Sequence, residues 1–133
     1  MVIGKGYTDR FLTEAEVREL FEDGLGQIDT AGKKLLVILP DSTRSGPIPL
    51  CFRLFCELLQ DSVAQLDFLI ALGTHLPMSD AKINEHLGIT AQERASKYAN
   101  IGIYNHDWQN DVITIGTIPA AEIGEISGGL ISK

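Results

Sequence analysis

The chain has 133 residues, a formal net charge of −7, 44% hydrophobic and 22% charged residues. That length suits one domain able to bury roughly two-thirds of its unfolded surface, and the composition excludes a disordered chain or a coiled coil. With 11 basic residues against 18 acidic ones, a nucleic-acid footprint and docking on an anionic membrane surface are also disfavoured.

The first helix signal is complete. Thr13 is an N-cap with Glu16 at the third helical position, Leu12 and Val17 form a hydrophobic staple, and Gly24 offers a stop. Lys33–Pro40 follows as a continuous apolar run, the pattern of a strand buried on both faces in a parallel sheet. After the polar loop Asp41–Pro47, a second, largely buried helix is expected from about Pro49 to Gln60. A second strand, Leu66–Leu72, ends in Gly73-Thr74-His75. Ser79 then caps a helix stopping near Gly88, and Thr90 with Glu93 opens another running to about Asn100. Ile101–Tyr104 reads as a third strand leading into Asn105-His106-Asp107-Trp108. Asp111–Gly116 reads as a last strand or edge hairpin, and the Gly-rich tail from Ala121 shows no capped helix.

Strands alternating with helices imply an α/β fold, a mostly parallel sheet flanked by helices in a Rossmann-like three-layer domain spanning residues 1–133. The apolar runs are far shorter than the roughly 18 residues of a membrane-spanning helix. Met1–Gly6 has no signal-peptide core, so a cytoplasmic location is expected. Cys51 and Cys56 fall five apart on one expected helix. That puts their Cα atoms more than about 7 Å apart, too far for a disulfide, so both read as buried reduced thiols. Their spacing also fits no zinc pattern.

Three polar clusters follow the three strands: Asp41/Thr43/Arg44, Thr74/His75 and Asn105/His106/Asp107. Ligands of open parallel sheets bind beyond the carboxyl ends of the strands, so these clusters should share one rim. Each also has a plain structural reading. Asp41 can cap the next helix or pair with Arg44, His75 can bond a loop carbonyl, and Asn105–Asp107 can be a turn. His86, near a helix C-terminus, reads as a structural partner of the helix dipole, and Trp108 as a packing residue. The functional reading gives Arg44 a planar fork for a carboxylate or phosphate, His75 a proton-transfer role, and Asp41 an orienting one. An anion clamp beside an imidazole suits proton abstraction next to a carboxylate and equally a phosphate-bearing cofactor. The sequence contains no Gly-rich dinucleotide fingerprint, phosphate-binding loop or nucleophile elbow, and two rim histidines are too few for a metal site.

Asp41-x-Thr43-Arg44, then Ala71-Leu72-Gly73-Thr74-His75-x-Pro77-Met78, then Asn105-His106-Asp107 resemble, in order and spacing, the N-terminal domain of the nickel-dependent lactate racemase family. The resemblance runs from about Leu35 to Gly116. It implies a two-domain enzyme that racemises or epimerises a 2-hydroxy acid. A nickel pincer nucleotide takes and returns hydride there, and two histidines exchange the hydroxyl proton. By that resemblance His75 is one of the two, Arg44 holds the substrate carboxylate, Asp41 supports the site, and Thr43 and Thr74 shape the loops. Asn105, His106 and Asp107 match the motif without individual roles.

The second histidine, the cofactor-bearing lysine and the nickel-binding histidine of the family belong to a region and C-terminal domain beyond Lys133. The expectation is therefore a half-site that lacks nickel and activity alone and has that domain as its partner. Ser127-Gly128-Gly129 is read as a chance likeness to the family's Gly-rich stretch. Two departures stand out: Ser45-Gly46 separates Arg44 from Pro47, where the family has Pro directly, and Leu76 follows His75 where a basic residue is usual. The substrate therefore need not be lactate. The competing readings are a non-catalytic anion- or nucleotide-binding domain or subunit, and a structural domain that docks on a partner.

Overall fold

A computed structural model describes residues 2–131. The chain opens on helix α1, Glu14–Leu25, whose start has the expected capping box. The Glu16 N–H donates to Thr13 Oγ1 at 3.3 Å, and the Thr13 N–H donates to the Glu16 carboxylate at 2.9 Å. The helix ends at Gly26 rather than Gly24.

Strand β1, Lys34–Pro40, leads to helix α2, Ile48–Leu59, and strand β2, Gln65–Ala71. Helix α3, Asp80–Leu87, starts on Ser79 and closes on Gly88, which takes the left-handed conformation (φ +66°) that glycine adopts without steric cost. Helix α4 covers only Ala91–Ala95, and strand β3 is Gly102–Asn105. The expectation of a helix to Asn100 fails because Ser96 leaves helical geometry and the Tyr98 N–H returns to the Glu93 carbonyl. That turn buries Tyr98 against Phe52, with ring centroids 5.0 Å apart.

The three strands form one parallel sheet in the order β1-β2-β3, so the α/β class stands as expected. Its inner face carries Leu39, Leu66, Phe68, Ile70 and Ile103, all buried. Phe52 of α2 packs on Phe68 at 4.8 Å, and Phe21 of α1 meets Phe55 of α2 edge-on at 4.9 Å. Ile83 and Leu87 bring α3 into the same core.

The other face differs from the sequence reading. Leu36 and Ile38 are 55% and 63% exposed, and Tyr104 is also exposed. Their neighbour across the register is Leu69, opposite both Ile38 and Tyr104. Among the described residues, helices cover one sheet face only, so the apolar run of β1 is buried on one side and the second helix layer of a three-layer domain is not formed.

The C-terminal part differs twice more. Asp111–Gly116 makes no strand: the segment pairs with neither free edge of the sheet, at β1 or β3, and Val112, Ile113 and Ile115 are largely exposed. Helix α5, Ala120–Ile126, forms where no helix was expected. It begins after Pro119 with no side-chain cap, which removes the signal that marked the other helices. Gly128 and Gly129, both at positive φ, close it, so Ser127-Gly128-Gly129 acts here as a helix stop. Both cysteines are free, and burial raises the thiol pKa of Cys56 to about 12, which keeps it protonated.

Candidate functional site

The carboxyl ends of the parallel strands bring the three sequence clusters to one rim. β1 delivers Asp41 immediately after Pro40, where the side chain is buried at its root and 6% exposed overall. β2 ends in a tight turn in which Gly73 takes φ +59° and the His75 N–H donates to the Leu72 carbonyl at 2.9 Å. A residue with a Cβ is strained at that φ, so glycine here sets the direction in which His75 leaves the sheet.

Asp41 and His75 meet across the rim, with Nδ1 of His75 2.6 Å from Oδ2 of Asp41. The other carboxylate oxygen accepts from the Thr43 hydroxyl at 2.5 Å and from the Thr43 N–H at 3.1 Å. The Thr43 hydroxyl first, and then His75, hold the Asp41 pKa down at about 2. A carboxylate ionised at neutral pH can only accept, so Nδ1 carries the proton and a neutral His75 ring presents Nε2 as a base. No hydrogen bond to Nε2 exists among the described residues, and the side chain is 59% exposed.

The depressed pKa fixes a pH window. The pairing stabilises the folded state fully above the ordinary value of 3.8 and is lost as pH falls through about 2. The stability difference between the wild-type chain and Asp41→Asn should therefore be constant near neutrality and close between those two values. Urea unfolding across that range tests it, and a difference that does not change with pH would remove Asp41 from the pair.

Arg44 sits three residues beyond Asp41, its N–H donating to the Asp41 carbonyl at 3.2 Å. Its side chain is exposed, and among the described residues no carboxylate forms an ion pair with it. The Asp41–Arg44 salt bridge considered from sequence is thus not made; Asp41 is engaged by His75 and Thr43 instead.

The third cluster splits into three roles. Asn105 clasps the loop that carries His75: its Oδ1 accepts from the Met78 N–H at 3.1 Å and its Nδ2 donates to the Met78 carbonyl at 2.9 Å. His106 extends the β2–β3 pairing by donating its N–H to the Ile70 carbonyl at 3.0 Å. Its side chain and Thr74, His75, Leu76, Pro77 and Trp108 line an open cleft of about 250 Å³. Asp107 makes a local turn, accepting from the N–H groups of Gln109 and Asn110 and from the Asn110 side chain. The structural reading of a turn holds for Asp107 and not for Asn105.

Two residues of this rim were read differently from sequence. Trp108 is 43% exposed on the cleft wall rather than packed in a core. His86 reaches the end of β1, with Nε2 2.8 Å from the Pro40 carbonyl oxygen. Its spacing on α3 marks no such contact, because the partner lies 46 residues away.

The family model described as the lactate racemase N-terminal domain matches residues 13–127. A crystal structure of a protein from Thermotoga maritima, solved in a structural-genomics programme, superposes with a TM-score of 0.70 at 28% identity. The match covers 92% of this chain and 28% of that one, so the chain spans little more than a quarter of that relative. No curated protein matches the chain.

Proposed function

The chain belongs to the lactate racemase N-terminal domain family, and from that premise we propose that it forms one half of the site of a 2-hydroxy-acid racemase or epimerase. The observation that carries this reading is the Asp41–His75 pair, 2.6 Å apart on the sheet rim, with an unpaired Arg44 beside it. Arg44 holds the substrate carboxylate through its planar fork. The substrate hydroxyl then lies at Nε2 of His75. At Nε2 the hydroxyl O–H bond breaks and an Nε2–H bond forms, while the hydride that leaves the carbon would need an acceptor from outside this chain. The imidazolium is stabilised by the Asp41 carboxylate through Nδ1–H, and in the reverse direction it gives a proton back to the same oxygen.

The family resemblance brings a nickel pincer nucleotide as the hydride acceptor. Among the described residues no three His, Cys, Asp or Glu side chains come together to hold a metal ion. The residues present do not fit a nickel site, and the roles given to this chain are limited to substrate binding and proton transfer. The open cleft and the bare sheet face of Leu36 and Ile38 support a second domain that completes the site.

The test compares this chain with a longer product carrying the same sequence and a second domain, both made with the cofactor pathway. Racemisation of a panel of 2-hydroxy acids and nickel content are measured on each. Activity and nickel in the longer product alone are expected. Neither in either form overturns the reading in favour of a non-catalytic anion-binding domain.

A further inference from the structure

The Asp41–His75 pair spans two loops, and each loop is tied down by a side chain from a third element. The loop after β2 is held by Asn105, which bonds both the N–H and the carbonyl of Met78. The loop after β1 is held from α3, where Nε2 of His86 lies 2.8 Å from the Pro40 carbonyl oxygen. We propose that His86 is a positioning residue for this pair, acting through the Pro40–Asp41 peptide.

Pro40 is the last residue of β1, an edge strand whose one sheet neighbour is β2. Its carbonyl belongs to the peptide unit that leads into Asp41. That unit is planar, so fixing the oxygen fixes the orientation of the Asp41 N–H and the direction in which the chain enters the Asp41 Cα. The Asp41 carboxylate has little freedom beyond that, since Thr43 and His75 take both its oxygens. A turn of the Pro40–Asp41 peptide would therefore pull the carboxylate from one partner or the other.

His86 is itself firmly placed. Ile83 and Leu87 of the same helix are in the core. A Cβ on Gly88, at the end of α3, would stand 2.8 Å from Pro49 Cβ, so that end of the helix lies tightly against the first turn of α2. A carbonyl oxygen only accepts, so Nε2 of His86 carries the proton in this bond. Lys82 and Glu85 of α3, with Ser42 and Met78, line the cleft of about 380 Å³ beside it.

The test needs no cofactor and rests on the pair's geometry alone, so its outcome is separate from that of the racemase assay. The titration midpoint of the Asp41 carboxyl is followed by carbon NMR in the wild-type chain, His86→Ala and His86→Gln. The wild type should titrate near 2, the alanine variant should move up toward 3.8, and glutamine, which restores an N–H donor of similar reach, should recover most of the shift. Lys82→Ala, in the same cleft, should titrate like the wild type. If the alanine variant does not fold, His86→Asn, one methylene short of glutamine, gives the same contrast. An Asp41 midpoint unchanged by loss of the imidazole in a folded chain, or equal in the Asn and Gln variants, overturns the proposal.

Discussion

If the proposed half-site holds, His75→Ala should lower the kcat of a longer product carrying a second domain by about 10²–10⁴-fold, the usual contribution of a positioned acid/base group. KM should change far less, because Arg44, which is independent of the His75 side chain, would still bind the carboxylate. His75 is more than half exposed, so the variant should fold as the wild type does. Asp41→Asn is the informative companion. It leaves a side chain of the same size but removes the charge that stabilises the imidazolium and fixes Nδ1 as the protonated nitrogen. Its loss should again fall on kcat. If His75→Ala racemises at the wild-type rate, the Asp41–His75 pair is structural and the proton passes through another group.

The fold was legible wherever a local signal carried its own explanation. The capping boxes of Thr13 with Glu16 and of Thr90 with Glu93 are reciprocal bonds made within four residues, and both form. Gly88 ends α3 for the reason a sequence reader invokes, its freedom at positive φ. What depended on the surroundings was less legible. Leu35–Pro40 is apolar throughout, which reads as burial on both faces, yet Leu36 and Ile38 face outward because no described element covers that side. Tyr98 cut short the helix that Thr90 begins, since burying its ring against Phe52 outweighed about one and a half more turns of exposed helix.

The site divides along the same line. Parallel strands must deliver their following loops to one rim, so Asp41, His75 and Asn105 were placed together by topology alone. Which of them bond was not: Asp41 had Arg44 three residues away and chose His75 from the next loop. The contact of His86 with Pro40 was out of reach, because the packing of α3 against the sheet end decides it. Asn105 looked like one residue of a turn, and only its two bonds to Met78 distinguish it from Asp107.

The choice Asp41 makes leads to a second large effect, at Arg44. Had Asp41 paired with it, the guanidinium would enter the reaction already neutralised. With Asp41 held by Thr43 and His75, the fork is free for an incoming carboxylate, and its main chain is fixed by the bond from the Arg44 N–H to the Asp41 carbonyl. Hydrogen bonds to a charged group contribute about 1.5–3 kcal/mol, so Arg44→Ala should raise KM by about 10–10²-fold. Such a bond acts on substrate and transition state alike, so kcat should fall less than it does in His75→Ala. Arg44→Lys keeps the charge but replaces two parallel bonds by a point contact, and should recover only part of the loss. Steady-state kinetics of the three variants in the longer product proposed above separate these roles. A KM left unchanged by Arg44→Ala would mean that the carboxylate binds elsewhere, and the half-site would then reduce to the Asp41–His75 pair.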